Sequence, residues 1–229
     1  MADNIARVFA AAIAADPTRP LLTWYDDATG ERTELSGATL ANWVAKTANL
    51  LVDELALSPG DRAGVLLPPH WQTAAVLLGC WSAGLTVAGT PGDVDVLFAG
   101  ADRVTEADAW SAGERYALAL APFAAPLRQV PPGFADYVVE VRGHGDHFTP
   151  YPAGGGADAE LLARATERAT ELCLTPGDRI LVDAAAHPDP VDWLLAPLTA
   201  EASVVLCGNL DKSRLDTRAA SEKVTRTLA

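Results

Sequence analysis

The sequence predicts an α/β fold with mainly parallel sheet layers covered by helices. A six-residue segment occurs twice, as "LSPGDR" at Leu57–Arg62 and "LTPGDR" at Leu174–Arg179. The same order of elements surrounds both copies: helix, turn, strand, helix and strand. Such alternation with short connections is typical of right-handed βαβ units. The predicted strands are apolar without clean alternation, which indicates a sheet covered on both faces.

A helix is predicted before each turn, because apolar residues recur every three or four positions there. These residues are Leu40, Val44, Ala48, Leu51 and Leu55 in the first copy, and Leu161, Ala165, Ala169 and Leu172 in the second. Proline then ends the helix and glycine permits a tight turn.

A strand, a helix and a second strand are predicted after each turn. The strands are "AGVLL" and "LTVAGT" in the first copy, and "ILVD" and "SVVLCG" in the second. The helices are "WQTAAVLLGCWSAG" and "VDWLLAPLTAEA". These matched elements favour two related βαβ repeats over a turn that occurs twice by chance.

The region between the copies is less regular. "GDVDVLFAGADRV" predicts a strand and turn, Tyr137 to Val141 a further strand, and Asp158 the N-cap of the next helix. Residues 1–229 are expected to form a single compact domain, or two lobes of about 57–156 and 1–56 plus 157–229.

The composition excludes several functional classes. The 229 residues carry a net charge of −13, which repels phosphate backbones, so no nucleic-acid partner is expected. The apolar runs are far shorter than the ~20 residues of a membrane span, so no membrane association is expected. The N-terminus lacks a cationic start and a long apolar stretch, which predicts a cytoplasmic protein.

The three cysteines, Cys80, Cys173 and Cys207, are an odd number without metal-ligand spacing. Each has apolar neighbours in the sequence, where a free cysteine behaves as a small hydrophobic residue. The sequence therefore predicts neither a disulfide nor a zinc framework.

Three stretches resemble the adenylate-forming superfamily, which comprises acyl-CoA synthetases, adenylation domains of peptide synthetases, and luciferases. They are "RPLLTWYDDATGERTELSGATLANWVAKTANLL", "LSPGDRAGVLLPPHWQTAAVLLGCWSAGLTVAGT" and "LTPGDRILVDAAAHPDPVDWLLAPLTAEASVVLCG". They follow the family's order, and with the tail "RAASEKVTRTLA" the resemblance extends over roughly two thirds of the chain. The nearest resemblance is to a short actinobacterial family of uncharacterised proteins similar to the N-terminal part of AMP-binding, acyl-CoA synthetase-like enzymes.

The resemblance implies which motifs adenylation by ATP would need. The phosphate loop, of the type YTSGTTGxPKG, should lie where this chain has "FTPYPAGGGADAELL". Thr149 remains there, but the hydroxyl cluster and the lysine do not. The YGxTE-type motif, the ribose-binding Asp and the lysine-bearing C-terminal domain would lie beyond residue 229. The resemblance therefore implies a truncated N-terminal scaffold, a pseudoenzyme without catalytic, cofactor-binding or metal-binding residues.

The glycine run Gly154–Gly156 offers a second possibility for phosphate binding, since helix N-termini attract anions. Asp158 and Glu160 would place negative charge at that position. A flexible connector is therefore the favoured interpretation.

Three histidines in loops also allow two interpretations. His144, Asp146 and His147 could begin a metal cluster, but transition metals usually take three or four ligands, so a solvated turn is favoured. His187 matches a position that lines the acyl pocket in the family resembled, although a plain loop histidine before Pro188 is favoured.

The sequence thus favours a non-catalytic relative of adenylate-forming enzymes that acts as a small-molecule-binding or protein-interaction module. An exposed apolar patch and self-association into a homo-oligomer are expected with it. The alternative is a subunit of a split adenylation or acyl-transfer enzyme that needs a partner. A third hypothesis is hydrolytic or metal chemistry at His144, Asp146 and His147.

Overall fold

The computed structural model describes residues 4–151 and 156–229, which form the predicted α/β fold. The helices are α1 (Ile5–Ala14), α2 (Gly37–Asn49), α3 (Trp71–Ser82), α4 (Tyr137–Arg142), α5 (Gly156–Glu171), α6 (Ala196–Thr199) and α7 (Leu215–Ser221). The strands are β1 (Pro20–Asp26), β2 (Glu31–Ser36), β3 (Arg62–Leu66), β4 (Thr86–Ala88), β5 (Asp93–Gly100), β6 (Ser111–Leu118), β7 (Ala135–Asp136), β8 (Arg179–Asp183), β9 (Ser203–Gly208) and β10 (Arg226–Leu228). Within the described ranges, every helix is too short or too polar to cross a bilayer.

The described residues divide into two compact units. The first unit comprises those up to Leu40, with Pro69–Trp71 and Asp158–Ala229. The second comprises Ala41–Pro68 and the described part of Gln72–Ala157.

The first unit is built on a five-stranded sheet in the order β10-β8-β9-β1-β2. All neighbours are parallel except β1 and β2, which form an antiparallel pair. On one face, Leu181, Val205 and Cys207 pack against Leu215 of α7 and Val224. The strands are buried on both faces, which explains their continuous apolar sequence.

The second unit is built on a fully parallel sheet in the order β4-β3-β5-β6-β7. One face packs around Trp110, and Gly64 permits this approach because a Cβ there would lie 2.7 Å from the indole. Phe98 stacks on Tyr116 and meets the edge of Tyr137, whose hydroxyl lies 2.7 Å from that of Thr47 in α2.

The two copies of the repeated turn share their hydrogen bonds as well as their order of elements. The carboxylate of Asp61 accepts from the Ser58 amide at 2.7 Å, and that of Asp178 accepts from the Thr175 amide at 2.8 Å. The glycine that precedes the aspartate in each copy has a positive φ, +100° at Gly60 and +90° at Gly177. These angles favour glycine, which explains why the residue occurs in both copies.

Each turn also fixes the start of the second strand in its copy. The amide of Thr86 donates to the Asp61 carbonyl at 2.8 Å, and the amide of Ser203 donates to the Asp178 carbonyl at 2.9 Å. The repeated segment is therefore a local device that aligns two parallel strands.

The predicted strand from Tyr137 to Val141 is wrong, because these residues form α4. The carboxylate of Asp136 accepts hydrogen bonds from the Val138 and Val139 amides and so caps the helix. Tyr137, Val138 and Val141 are buried, at helical rather than alternating spacing. Capping and burial outweigh the strand preference of the valines.

Two other helix predictions are corrected. Asp158 lies inside the first turn of α5, which begins at Gly156, and so is not the N-cap. The helix predicted in "VDWLLAPLTAEA" divides into a π-helical turn, Val191–Leu195, and α6. Pro197 has no amide hydrogen to continue the preceding pattern, which accounts for a break there.

Candidate functional site

Ligands of parallel α/β sheets bind at the carboxyl ends of the strands. In the first unit, β1, β8 and β9 end at Asp26, Asp183 and Gly208. The candidate site is this carboxyl edge, with the residues that follow each strand.

Asp26 is already engaged by its neighbours. Its carboxylate accepts from the Asn209 side chain at 2.8 Å, the Thr29 hydroxyl at 2.9 Å and the Ala28 amide at 2.9 Å. Burial alone would raise the pKa of Asp26, but these hydrogen bonds outweigh it and hold the pKa below its usual value. The group is therefore an ionised carboxylate that shapes the loops after β1 and β9.

Asp27 binds Arg218 of α7 through both carboxylate oxygens, with Oδ2 3.0 Å from Nη1. The two side chains are only 6% and 7% exposed. The hydrogen bond from Arg218 lowers the pKa of Asp27. The same guanidinium lies 4.3 Å from the centre of the Tyr25 ring, and its Nη1 lies 3.5 Å from Sγ of Cys207. This cation is therefore fully committed within the protein.

An aromatic cluster, formed by Trp24, His70 and Trp71, lies in the same unit. The centre of the His70 ring is 4.6 Å from that of Trp24 and 5.7 Å from that of Trp71. Burial lowers the pKa of His70 to about 3, so the imidazole is neutral at physiological pH. Trp24 packs on Gly208, where a Cβ would lie 2.4 Å from the indole.

His187 and His70 hold equivalent positions after the repeated turn, but their surroundings differ. His187 is half-buried in the loop after β8, where its Nδ1 is 3.4 Å from Oδ2 of Asp192. Asp192 also accepts from Nε of Arg168 at 2.6 Å. His187 is thus placed by an ion-pair cluster rather than by an aromatic one.

The turn that contains His144, Asp146 and His147 lies in the second unit and is bound through its backbone. Lys46 donates to the His144 carbonyl, and Asn49 donates to the carbonyls of Gly145 and His147 at 2.8 and 3.0 Å. The His144 ring lies 2.9 Å from the Glu54 carboxylate. Within residues 4–151 and 156–229, no three metal-ligating side chains converge.

Of the glycine run, Gly154 and Gly155 lie outside the described residues, and Gly156 begins α5. Asp158 in the first turn of this helix is partly buried, which raises its pKa, and it accepts a hydrogen bond from the Ile5 amide. A phosphate at the N-terminus of α5 would accept hydrogen bonds from backbone amides. Here the carboxylate of Asp158 lies in that first turn and is bound to the amide at the start of α1.

The cysteine prediction is confirmed for two of the three residues. Cys80 and Cys207 are buried, and burial raises the pKa of the Cys80 thiol to about 12. Cys173 is exposed, contrary to the expected apolar setting. It follows α5 with a left-handed backbone, φ of 53°.

In the described part of the second unit, three large apolar side chains are exposed. Phe123 is 93% exposed, Val139 55% and Val130 41%. Phe123 also has a left-handed backbone, with φ of 57°. Arg142 holds its loop by donating to the carbonyl of Ala124 at 2.8 Å.

Sequence reasoning missed the Asp27–Arg218 pair and the His70 cluster. Both depend on contacts between distant parts of the chain, such as the 191 positions between Asp27 and Arg218. The adjacent acids after β1 were the one local signal, since polar residues that end a parallel strand often belong to a site.

Comparisons with known proteins place this fold among its relatives. The family model described as "AMP-binding enzyme" matches residues 9–91. A "TIGR03089 family protein" of Mycobacterium tuberculosis (strain ATCC 25618 / H37Rv) is 48% identical over 228 residues, covering 94% of each chain.

Solved structures with the same fold include several CoA ligases. An acyl-CoA synthetase of Brucella canis is 17% identical with a TM-score of 0.75, covering 98% of this chain and 46% of its own. The anthranilate CoA ligase AuaEII, in complex with anthranoyl-AMP, is 11% identical with a TM-score of 0.73, covering 97% and 48%. The N-terminal domain of FACL13 from Mycobacterium tuberculosis is 16% identical with a TM-score of 0.65, covering 96% and 61%. The chain spans about half the length of the first two proteins.

Proposed function

Because the chain belongs to the TIGR03089 family and has the fold of the N-terminal part of acyl-CoA synthetases, we propose that it is a non-catalytic relative of AMP-binding adenylate-forming enzymes. It acts as a small-molecule-binding or protein-interaction module. In this proposal it is a pseudoenzyme.

The observation that carries the proposal is the charge at the carboxyl edge of the first sheet. Transfer of an adenylyl group needs donors and a cation around the phosphates of ATP. Asp26, Asp27 and Asp183 stand at this edge, while the guanidinium of Arg218 is bound by Asp27. Arg214, which is 62% exposed, also lies beside Asp27, with its Nη1 3.8 Å from Oδ1. Both arginines that meet this carboxylate are therefore paired with it, and an edge that adds Asp26 and Asp183 disfavours a triphosphate.

The start of α5 supports the same conclusion. The family resemblance places the phosphate loop just before this helix. In the described part of that segment, the carboxylate of Asp158 faces the amide of Ile5, and Arg164 further along α5 pairs with Asp189 at 2.8 Å. Negative charge in the first turn of a helix opposes the binding of phosphate there.

A pyrophosphate-release assay with ATP·Mg²⁺ and a panel of carboxylic acids tests the proposal. We expect no release above the rate without protein. Carboxylate-dependent release by the purified chain would overturn the proposal.

Thermal-shift titrations with ATP·Mg²⁺, AMP, CoA and acyl-CoAs then identify the class of ligand. A ligand at 100 times its Kd stabilises the native state by about 2.7 kcal/mol, which corresponds to roughly 5–10 °C in a chain of this size. A shift with CoA compounds alone would indicate a sensor or carrier.

The second candidate function is a subunit of a split adenylation or acyl-transfer enzyme. It is favoured by the observation that the chain spans about half the length of synthetases with its fold. Turnover on mixing with a protein that bears the remaining motifs, and none with either protein alone, would replace the first proposal with this one.

We also propose a cytoplasmic location and an actinobacterial lineage. The relative from Mycobacterium tuberculosis supports the lineage. Fractionation of cells that express the tagged chain tests the location.

A further inference from the structure

A groove of about 700 Å³ lies in the first unit, between α1, α5 and the end of α6. Its apolar lining comes from all three helices: Val8, Ala11, Ala12, Ala159, Leu162, Ala163 and Leu198. Leu162 and Leu198 are buried at its floor, whereas Ala11, Ala159 and Ala163 are exposed. The groove is therefore an apolar surface open to a partner.

The dimensions of the groove suit a helix. The small residues Ala159, Ala163, Thr166 and Thr170 recur along one face of α5 and all line the groove. They extend over twelve residues, whose eleven steps of ~1.5 Å span about 16 Å of helix, or about three turns. Small side chains let a second helix approach to the usual interaxial distance of about 8–10 Å.

The rim of the groove is charged, and its acidic part lacks partners. The carboxylates of Glu167 and Glu201 line it, and within the described residues neither forms an ion pair. The arginines on the same helix are occupied: Arg164 pairs with Asp189, and Arg168 with Asp192 at 2.6 Å. Two carboxylates are thus available for cations on an incoming segment.

The groove also has a basic end. Arg7 lines it from the first turn of α1, whose start adjoins the start of α5 because Asp158 accepts a hydrogen bond from the Ile5 amide. Glu167 lies more than two turns further along α5. The net charge of −13 adds a long-range attraction for cationic partners.

From these features we infer that the groove binds an amphipathic helix of a partner protein. The helix is about three turns long, apolar on the face that enters the groove, and carries Lys or Arg where it meets Glu167 and Glu201. This mode, a helix laid into an apolar groove, recurs in peptide recognition. The inference rests on the proposed interaction function and supplies the chemistry of the partner.

The test uses labelled synthetic helical peptides of fourteen residues and fluorescence polarisation with the full chain. One peptide has Leu and Ala on one face with lysines on the flanks. A second keeps the apolar face and replaces the lysines by glutamates. We expect saturable binding of the lysine peptide and at least tenfold weaker binding of the glutamate peptide.

Three variants locate the site. Ala163→Trp fills the groove from an exposed position, and we expect at least tenfold weaker binding of the lysine peptide. Glu167→Lys should weaken the lysine peptide and strengthen the glutamate peptide, a reversal that simple unfolding cannot produce. Glu160→Lys, on an exposed part of α5 outside the groove lining, should change either affinity by less than twofold.

Equal binding of the lysine peptide to wild type and Ala163→Trp would overturn the inference. A second result would also overturn it: wild type binds dodecylamine, Ala163→Trp does not, and neither peptide binds up to millimolar concentration. The groove would then be a small-molecule site. Pyrophosphate release by the wild type would overturn the non-catalytic proposal and leave the peptide result intact.

Discussion

Ala56 and Cys173 adopt the same left-handed backbone conformation, each with φ of 53°, at equivalent positions of the two repeats. Each precedes the repeated turn by one residue and follows the helix before it. Glycine is the usual residue at such a helix end, since a Cβ there costs roughly 1–2 kcal/mol.

Replacing either residue by glycine is therefore expected to stabilise the protein. Cys173→Gly and Ala56→Gly should each raise the free energy of unfolding by about 1 kcal/mol, after the greater entropy of the unfolded glycine chain is deducted. Urea denaturation measures the change. Ala163→Gly in the middle of α5 is the control and should lower the free energy by about 1 kcal/mol. If Cys173→Gly also lowered the free energy of unfolding by about 1 kcal/mol, the left-handed conformation of Cys173 would not be a source of strain.

The Asp27–Arg218 pair predicts acid sensitivity. The folded pKa of Asp27 lies below its usual 3.8, so the stabilisation is complete above that value and is lost as pH falls towards the folded pKa. Asp27→Asn should cost about 3 kcal/mol at pH 7, because it leaves a buried guanidinium without its counter-ion. Between pH 4 and pH 2.5 the variant should lose less stability than the wild type does.

Urea titrations at pH 7 and between pH 4 and pH 2.5 measure the two effects. Glu106→Gln, which removes an exposed ion pair with Arg103, is the control and should cost less than about 1 kcal/mol. Equal losses in the two variants would show that burial of the Asp27 pair has no energetic consequence.

His70 predicts a second pH dependence, at higher pH. Its folded pKa of about 3 lies below the usual 6.5, so the unfolded chain binds the extra proton first. Stability should therefore fall as the pH is lowered from about 6.5 towards 4. His70→Phe should flatten the dependence in this range, whereas His187→Phe at the equivalent half-buried position should leave it in place. A slope that persists in His70→Phe would assign it to another group.

Because the Phe123 side chain is exposed, we expect the protein to self-associate weakly. An aromatic ring that is almost fully exposed loses contact with water when a second copy covers it, which favours association. We expect light scattering to give a mass above the 23.9 kDa of the monomer at high concentration, and Phe123→Ser to restore that mass. A monomeric mass at every concentration would contradict the expected homo-oligomer.

The repeats were predictable because their information is local. Proline, glycine and aspartate of the turn act within four residues, as the Ser58–Asp61 hydrogen bond shows. The segment from Tyr137 was not predictable from its valines, because one capping carboxylate and the burial of a helical face decided its structure. The carboxyl edge was not predictable from local pattern, since Asp27 and Arg218 are 191 positions apart and are brought together only by the fold.

The pairing of β1 with β9 imposes an order on synthesis at the ribosome. β1 emerges early, but its parallel partner lies ~180 residues later, since Leu22 pairs with Val204. At roughly 5–20 residues per second, the nascent β1–β2 hairpin waits about 10–40 s for that neighbour. A lone hairpin is marginally stable in water, so the β1–β2 pair joins a stable sheet only once β9 has been synthesised. The second unit, drawn from the middle of the sequence, is complete before the first can close.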